Sequence, residues 1–161
     1  MSNKLPKPIN KSSFEVQDST IHGKGVFAQT DIQKGDCIIE YKGERISWKT
    51  ALKRHPHDPS QPNHTFYFSI SNGKVIDGKV NGNDARWINH SCAPNCIANE
   101  FTDKKDRLHV FLFAKKNIKM GEELFYDYSL DVEGKHTKAL KKDYLCRCGS
   151  KKCRGTMLSK K

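Results

Sequence analysis

Arg86-Trp87-Ile88-Asn89-His90-Ser91-Cys92-Ala93-Pro94-Asn95-Cys96 is the stretch on which the reading of this chain turns. Polar and sulfur-bearing side chains crowd together between apolar segments. Such a run is costly to bury unless every group is hydrogen-bonded, so it is expected to line a site. His90 and Cys92 stand two residues apart and point the same way on an extended chain, as a thiol nucleophile and its base would. No third orienting group is evident for that pair, which makes a cysteine hydrolase the lesser reading. Just ahead of the stretch, Asn83 or Asp84 can open a short helix ending near Ile88.

Outward from this segment the chain reads as short strands divided by turns. Cys37, Ile39 and Tyr41 alternate with Ile38, Glu40 and Lys42, and Phe66, Phe68 and Ile70 alternate with Tyr67, Ser69 and Ser71. Asn72-Gly73 then signals a hairpin with Lys74 to Asp77 as the return strand. Leu108 to Ala114 is a continuous β-favouring run expected to be a buried strand, and Val26 to Ala28 follows the glycine pair of Gly23-Lys24-Gly25. Helical pattern is brief: Ser47 caps a segment whose Trp48, Ala51 and Leu52 share one face, and Pro56 stops it. Residues 129–145 are polar and Lys-rich and read as a linker. The glycine pair lacks the third glycine of a phosphate loop and serves either a turn or close approach to a ligand. In Glu123-Leu124-Phe125-Tyr126-Asp127-Tyr128, the two tyrosines share one strand face, a pattern that surface tyrosines on an edge strand would also give.

The six cysteines are Cys37, Cys92, Cys96, Cys146, Cys148 and Cys153. Cys146, Cys148 and Cys153 are spaced as zinc ligands on a tight turn, but a closed tetrahedral site needs a fourth donor from elsewhere. Free thiols are the alternative.

At 161 residues the chain is one ordinary domain, with a mean hydropathy of -0.77 and 35% apolar residues, among them eight Phe, five Tyr and two Trp for a core. Its longest apolar run, Val110 to Ala114, is five residues, against about 20 for a membrane span. No charged-then-apolar leader opens the sequence, so the default expectation is cytoplasmic, with nuclear or chromatin-associated action open. The net charge of +11 is uneven. Residues 1–13 hold three Lys and no acid, and residues 135–161 hold ten basic residues against Asp143 alone. The stretch between them carries a net charge of -1. Basic ends suit contact with nucleic acid or simply keep a terminus solvated.

Taken together, these segments resemble the SET-domain family of protein lysine methyltransferases with a post-SET zinc motif, from about Phe14 to Leu158 and in the family's order. Gly23-Lys24-Gly25 looks like its GxG, Tyr41-Lys42-Gly43 its YxG, Asn89-His90-Ser91-Cys92 with Pro94-Asn95 its NHSCxPN, and Glu123 to Tyr128 its ELxYDY. The resemblance implies a mostly β fold of several small sheets with a knot-like C-terminal crossing and a zinc-binding tail. It divides the chain into a basic N-terminal tail (1–13), a catalytic SET domain (14–130) and a linker with the post-SET knuckle (131–161).

The same resemblance implies S-adenosylmethionine as cofactor, bound by Gly23, Lys24, Gly25, Phe66, Tyr67, Arg86, Asn89, His90 and Tyr128. It further implies Zn2+ held by Cys92, Cys146, Cys148 and Cys153, with Cys96 the competing fourth ligand and Cys37 a core residue. Tyr128 is the expected catalytic residue, and Tyr126 occupies the family's Phe/Tyr switch, which favours mono- or dimethyl products. The partner implied is a protein with a basic, lysine-bearing tail such as a histone. Trp87 stands where Phe is usual, Phe66 where Tyr often contacts the cofactor, and the insert between Trp48 and His64 is short. A chain so compact looks bacterial rather than animal or fungal. The alternative function is a non-catalytic, zinc-stapled module that binds basic peptides or nucleic acid.

Overall fold

The computed structural model describes residues 5–19, 23–54, 67–128, 137–143, 150–151 and 153–158. Among them the protein is built mainly of strands: β1 (Phe14–Asp18), β2 (Lys24–Ala28), β3 (Cys37–Tyr41), β4 (Glu44–Ser47), β5 (Tyr67–Ser69), β6 (Lys74–Asp77), β7 (Asn89–His90), β8 (Cys96–Thr102), β9 (Leu108–Ala114) and β10 (Phe125–Tyr126). The short helices are α1 (Trp48–Arg54) and α2 (Lys138–Asp143), with 3-10 turns at Lys11–Ser13 and Asp84–Trp87. The strands form several small sheets, in the orders β1-β2, β3-β9-β8, β4-β6-β5 and β10-β7.

β9 is the middle strand of its sheet, and both of its faces are covered. Val110, Leu112 and Ala114 enter the main core. Phe111, on the other face, packs edge-on to Phe101 of β8 at 5.7 Å. This explains why its sequence is continuously apolar rather than alternating. The hairpin at Asn72-Gly73 joins β5 to β6 with Ser69 opposite Val75, and Gly73 takes a φ of +84°. Ser47 Oγ accepts the Thr50 amide at 3.1 Å and caps α1. Gly43 lets the chain turn from β3 into β4 across β6: a Cβ there would lie 2.3 Å from the Asp77 carbonyl oxygen.

Three expectations change. On β3 the expected alternation is broken by a register shift between Cys37 and Ile39, which leaves Cys37 and Ile38 both buried and Ile39 half-buried. Within the predicted linker, Lys138-Ala139-Leu140-Lys141-Lys142-Asp143 forms α2, because Ala, Leu and Lys are all strong helix formers. On β5 the expected alternation fails: Tyr67 and Ile70 are buried and Phe68 is half-buried. Tyr67 faces α1 and Phe68 faces β10, so both sides of this short strand are covered.

Candidate active site

The polar stretch is buried, and its groups are paired. Asn83 caps the 3-10 turn through its side-chain oxygen, and the turn delivers the chain into β7. That strand pairs in parallel with β10, with Asn89 opposite Phe125 and His90 opposite Tyr126. Asn89 and His90 have no exposed surface, and Ser91 and Asn95 are buried. Asn89 Nδ2 donates to the Lys24 carbonyl at 3.0 Å and to Glu123 Oε2 at 2.9 Å. Asn95 donates to the Glu123 carbonyl and accepts the Phe125 amide, both at 2.8 Å, so its amide side chain acts as an extra piece of strand. The Tyr128 amide donates to His90 Nδ1 at 3.0 Å. Three side chains of this segment thus fix residues 123–128 in place.

The tyrosines they fix form an aromatic cluster. Tyr126 and Tyr128 have ring centroids 4.7 Å apart, Phe68 stacks on Tyr126 at 5.7 Å, and Tyr41 lies 5.2 Å from Phe68. Burial raises both phenols well above their usual range, so each is a neutral hydroxyl. The Tyr128 hydroxyl donates its proton to the Ile88 carbonyl, which leaves its oxygen as an acceptor. The cluster opens on a groove of about 510 Å3 between β5 and β8, lined by Phe68, Ser69, Ile97, Ala98, Asp127 and Tyr128. Sequence reading missed Phe68. Tyr67 is not brought to this cluster: its hydroxyl is held by the Ala51 carbonyl at 2.8 Å, and its ring meets Trp48 edge-on. Phe66 lies outside the described residues.

The glycine pair meets this assembly from below. A Cβ on Gly25 would lie 2.3 Å from Glu123 Oε2, so close packing within the protein already demands glycine there. Ser19 Oγ and Asn89 both donate to the Glu123 carboxylate, while burial is the larger influence and raises its pKa. Gly23 has a φ of +47°. Arg86 and Lys24 bring their cationic groups over the Trp87 ring, at 5.2 and 5.7 Å from its centroid. Arg86 Nε is buried with no hydrogen-bond partner among the described residues.

Cys92 receives the C-terminal segment. The Arg154 amide donates to Cys92 Sγ at 3.3 Å, and the Gly155 amide to Cys153 Sγ at 3.4 Å. Because His90 Nδ1 accepts the Tyr128 amide, Nε2 carries the proton, and it faces Cys92 Sγ at 3.4 Å. Burial pushes the His90 pKa down to about 4, so the ring is neutral at pH 7 and a poor base for a thiol. Two donors converging on one sulfur suit a thiolate. Cys96 is the opposite case: its Sγ donates to Asn95 Oδ1 at 3.4 Å, and burial pushes its pKa up to about 12. Cys37 is likewise a buried thiol, pushed up to about 11. Cys146 and Cys148 lie outside the described residues, and no group of three metal-binding side chains occurs among those that are described.

The SET domain family model matches residues 23–129, a span that runs from the glycine pair through the tyrosines. The chain belongs to the SET-domain family. It is 38% identical over 92% of its length to the histone-lysine N-methyltransferase trithorax of Drosophila virilis. It is 35% identical over 92% of its length to histone-lysine N-methyltransferase 2B of Homo sapiens. It spans only 4% and 5% of those two proteins. A solved structure of ctPRC2 in an autoinhibited conformation, bound to S-adenosylmethionine, superposes on 76% of this chain with a TM-score of 0.66 and 28% identity, and this chain covers 16% of it. The fold of several small sheets is therefore that of SET-domain proteins. These likenesses do not bear on the expectation of a compact bacterial type. No helix among the described residues is long and apolar enough to cross a membrane.

Proposed function

We propose that the chain is a catalytic SET domain that transfers methyl groups from S-adenosylmethionine to lysine side chains in the basic tail of a protein such as a histone. The observation that carries this reading is the Tyr126–Tyr128 pair. It is a pair of neutral, buried phenols whose rings lie 4.7 Å apart, with Tyr128 lining the groove beside Asp127.

The donor supplies an electrophilic methyl group on a sulfonium. The chain must supply alignment and a neutral amine. A free lysine amine has a pKa near 10.4, so its neutral form lies about 4.6 kcal/mol uphill at pH 7. An aromatic, poorly hydrated channel lowers that pKa. Tyr128, with its own proton committed to Ile88, presents an oxygen that orients an amine N–H and so aims the lone pair. Holding the reactants in line is worth on the order of 7–11 kcal/mol. Tyr126 adds a second hydroxyl that crowds an already methylated nitrogen, which favours mono- and dimethyl products.

The residues fit the donor. Gly23, Lys24 and Gly25 offer backbone at the edge of the buried Asn89-His90 segment, and the orphaned Arg86 Nε suits the donor's carboxylate. Zn2+ fits Cys92 and Cys153, whose sulfurs accept amide N–H groups as metal thiolates do. In this reading Cys146 and Cys148 complete a post-SET site, residues 131–161 are the linker and knuckle, and 14–130 the catalytic body. The basic ends rest on nucleic acid beside the substrate, and the enzyme acts on chromatin.

The test is transfer of radiolabelled methyl from S-adenosylmethionine to mixed histones and a host-cell extract, followed by mass mapping of the modified lysine. Donor binding without transfer to any protein would favour the non-catalytic module.

A further inference from the structure

Strand pairing fixes the tyrosine segment only as far as Tyr126, where β10 ends. Asp127 and Tyr128 lie beyond that ladder and are placed by side-chain contacts. Those of Tyr128 go to Ile88 and His90. The Asp127 carboxylate faces His90 Nδ1 at 3.7 Å, and its close hydrogen bonds go to the C-terminal segment. Arg154 Nη1 donates to Asp127 Oδ2 at 2.6 Å, and Nη2 to Asp127 Oδ1 at 2.9 Å. Nη2 also donates to the Leu158 carbonyl at 3.2 Å, and the Arg154 backbone amide reaches Cys92. Thr156, Met157 and Leu158 are buried, so this segment is seated in the core rather than lying on the surface.

We propose that Arg154 is a positioning residue for methyl transfer. Its planar fork grips Asp127, and through it sets the backbone that carries Tyr126 on one side and Tyr128 on the other. The proposal rests on the methyltransferase reading above. The pair is bidentate and three-quarters shielded, with side-chain exposures of 20% for Arg154 and 30% for Asp127. A guanidinium matches a carboxylate with two parallel hydrogen bonds; a lysine ammonium at the same place keeps the charge and loses the match. Asp127 lines the groove beside Tyr128. Its displacement therefore moves the groove lining beside Tyr128, and a misplacement of about 1 Å is worth on the order of 100-fold in rate. Seating the tail thus finishes the geometry of the tyrosine pair as well as covering it.

The test uses the full, zinc-loaded chain with Arg154→Lys, Asp127→Asn and the double variant. Steady-state kinetics on a histone peptide, zinc content, and hydrogen exchange of the segment containing residues 124–128 are measured together. Each single variant is expected to lower kcat about tenfold or more with KM for peptide nearly unchanged. The double variant is expected to be no worse than either single one, as for two residues acting as a unit. Zinc content should stay constant, while exchange at residues 124–128 quickens in all three. The proposal is overturned by unchanged kcat in both single variants, by additive losses in the double variant, or by exchange that does not quicken. A parent protein that binds no donor and methylates nothing removes the enzymatic reading. The exchange measurement still decides whether the Arg154 grip orders the tyrosine segment.

Discussion

Tyr128 combines two structural facts that determine what its hydroxyl can do. Burial keeps it a neutral phenol, and Ile88 takes its proton. The oxygen is then an acceptor in a dry wall. Tyr128→Phe is expected to lower kcat by about 100-fold or more, the scale of losing one preorganised polar group, with donor affinity nearly intact. The orphaned Ile88 carbonyl should also cost about 1–2 kcal/mol of stability. Kinetics, calorimetric donor titration and thermal melts check the three parts; normal turnover with lost donor affinity contradicts the role. Tyr126→Phe removes the second hydroxyl and relieves crowding, so mass spectrometry should find the products moved toward trimethyllysine. Efficient trimethylation by the parent protein would count against the switch.

At the scale of elements, the β8–β9 hairpin carries its own acid-sensitive brace. Asp103 accepts the amides of Lys105 and Arg107 at the tip, and His109 of β9 sits between Asp103 and Glu40 of β3 at 2.8 Å each. These hydrogen bonds, His109's first, hold the Asp103 carboxyl well below its ordinary value. A carboxyl depressed in the folded state stabilises it only while ionised, so the contribution is complete above about pH 4 and falls away in stronger acid. The melting temperature of Asp103→Asn should therefore lie below that of the parent at neutral pH, with the gap narrowing below about pH 4. A gap that stays constant on acidification would contradict the brace. Elements with a local signal were legible in the sequence: β3 as a strand, though its bulge breaks the alternation, β6 by Asn72-Gly73, β9 by its apolar run and α1 by Ser47. β7 was not, since a two-residue strand carries no period, and the parallel pairing of β7 with the tyrosine strand β10 is set by distant contacts. β8 hid because Ile97, Asn99, Glu100 and Thr102 are exposed on an edge strand. The site divides in the same way: Asn89, His90, Tyr126 and Tyr128 stand in contiguous motifs, whereas Phe68 and Arg154 join them only through the fold.

Across the whole molecule, the C-terminal segment adds little length but closes the structure. Met157 and Leu158 are 0% and 1% exposed and belong to the same core as Leu124 and Tyr128. Burying two such side chains contributes at most about 3–6 kcal/mol, less than the body draws from Ile38, Val75, Ile76, Ile88, Val110 and Leu112 together. In the proposed reading a Zn2+ bound at Cys92 and Cys153 keeps that segment docked. Chelation, or Cys153→Ser, is therefore expected to abolish methyl transfer while leaving the β-sheet body folded. The melting temperature should drop by several degrees, far-UV circular dichroism should change little, and limited proteolysis should newly cleave after residue 143. Metal analysis before treatment should return about one zinc per chain, as a closed four-ligand site requires. A metal-free chain with full activity and a protease-resistant C-terminus would show that packing alone seats the segment. Collapse of the whole fold on chelation would show that the body depends on the metal as well. Loss of activity with the body intact separates the two, because it assigns the metal to the geometry of the tyrosine pair rather than to folding as a whole.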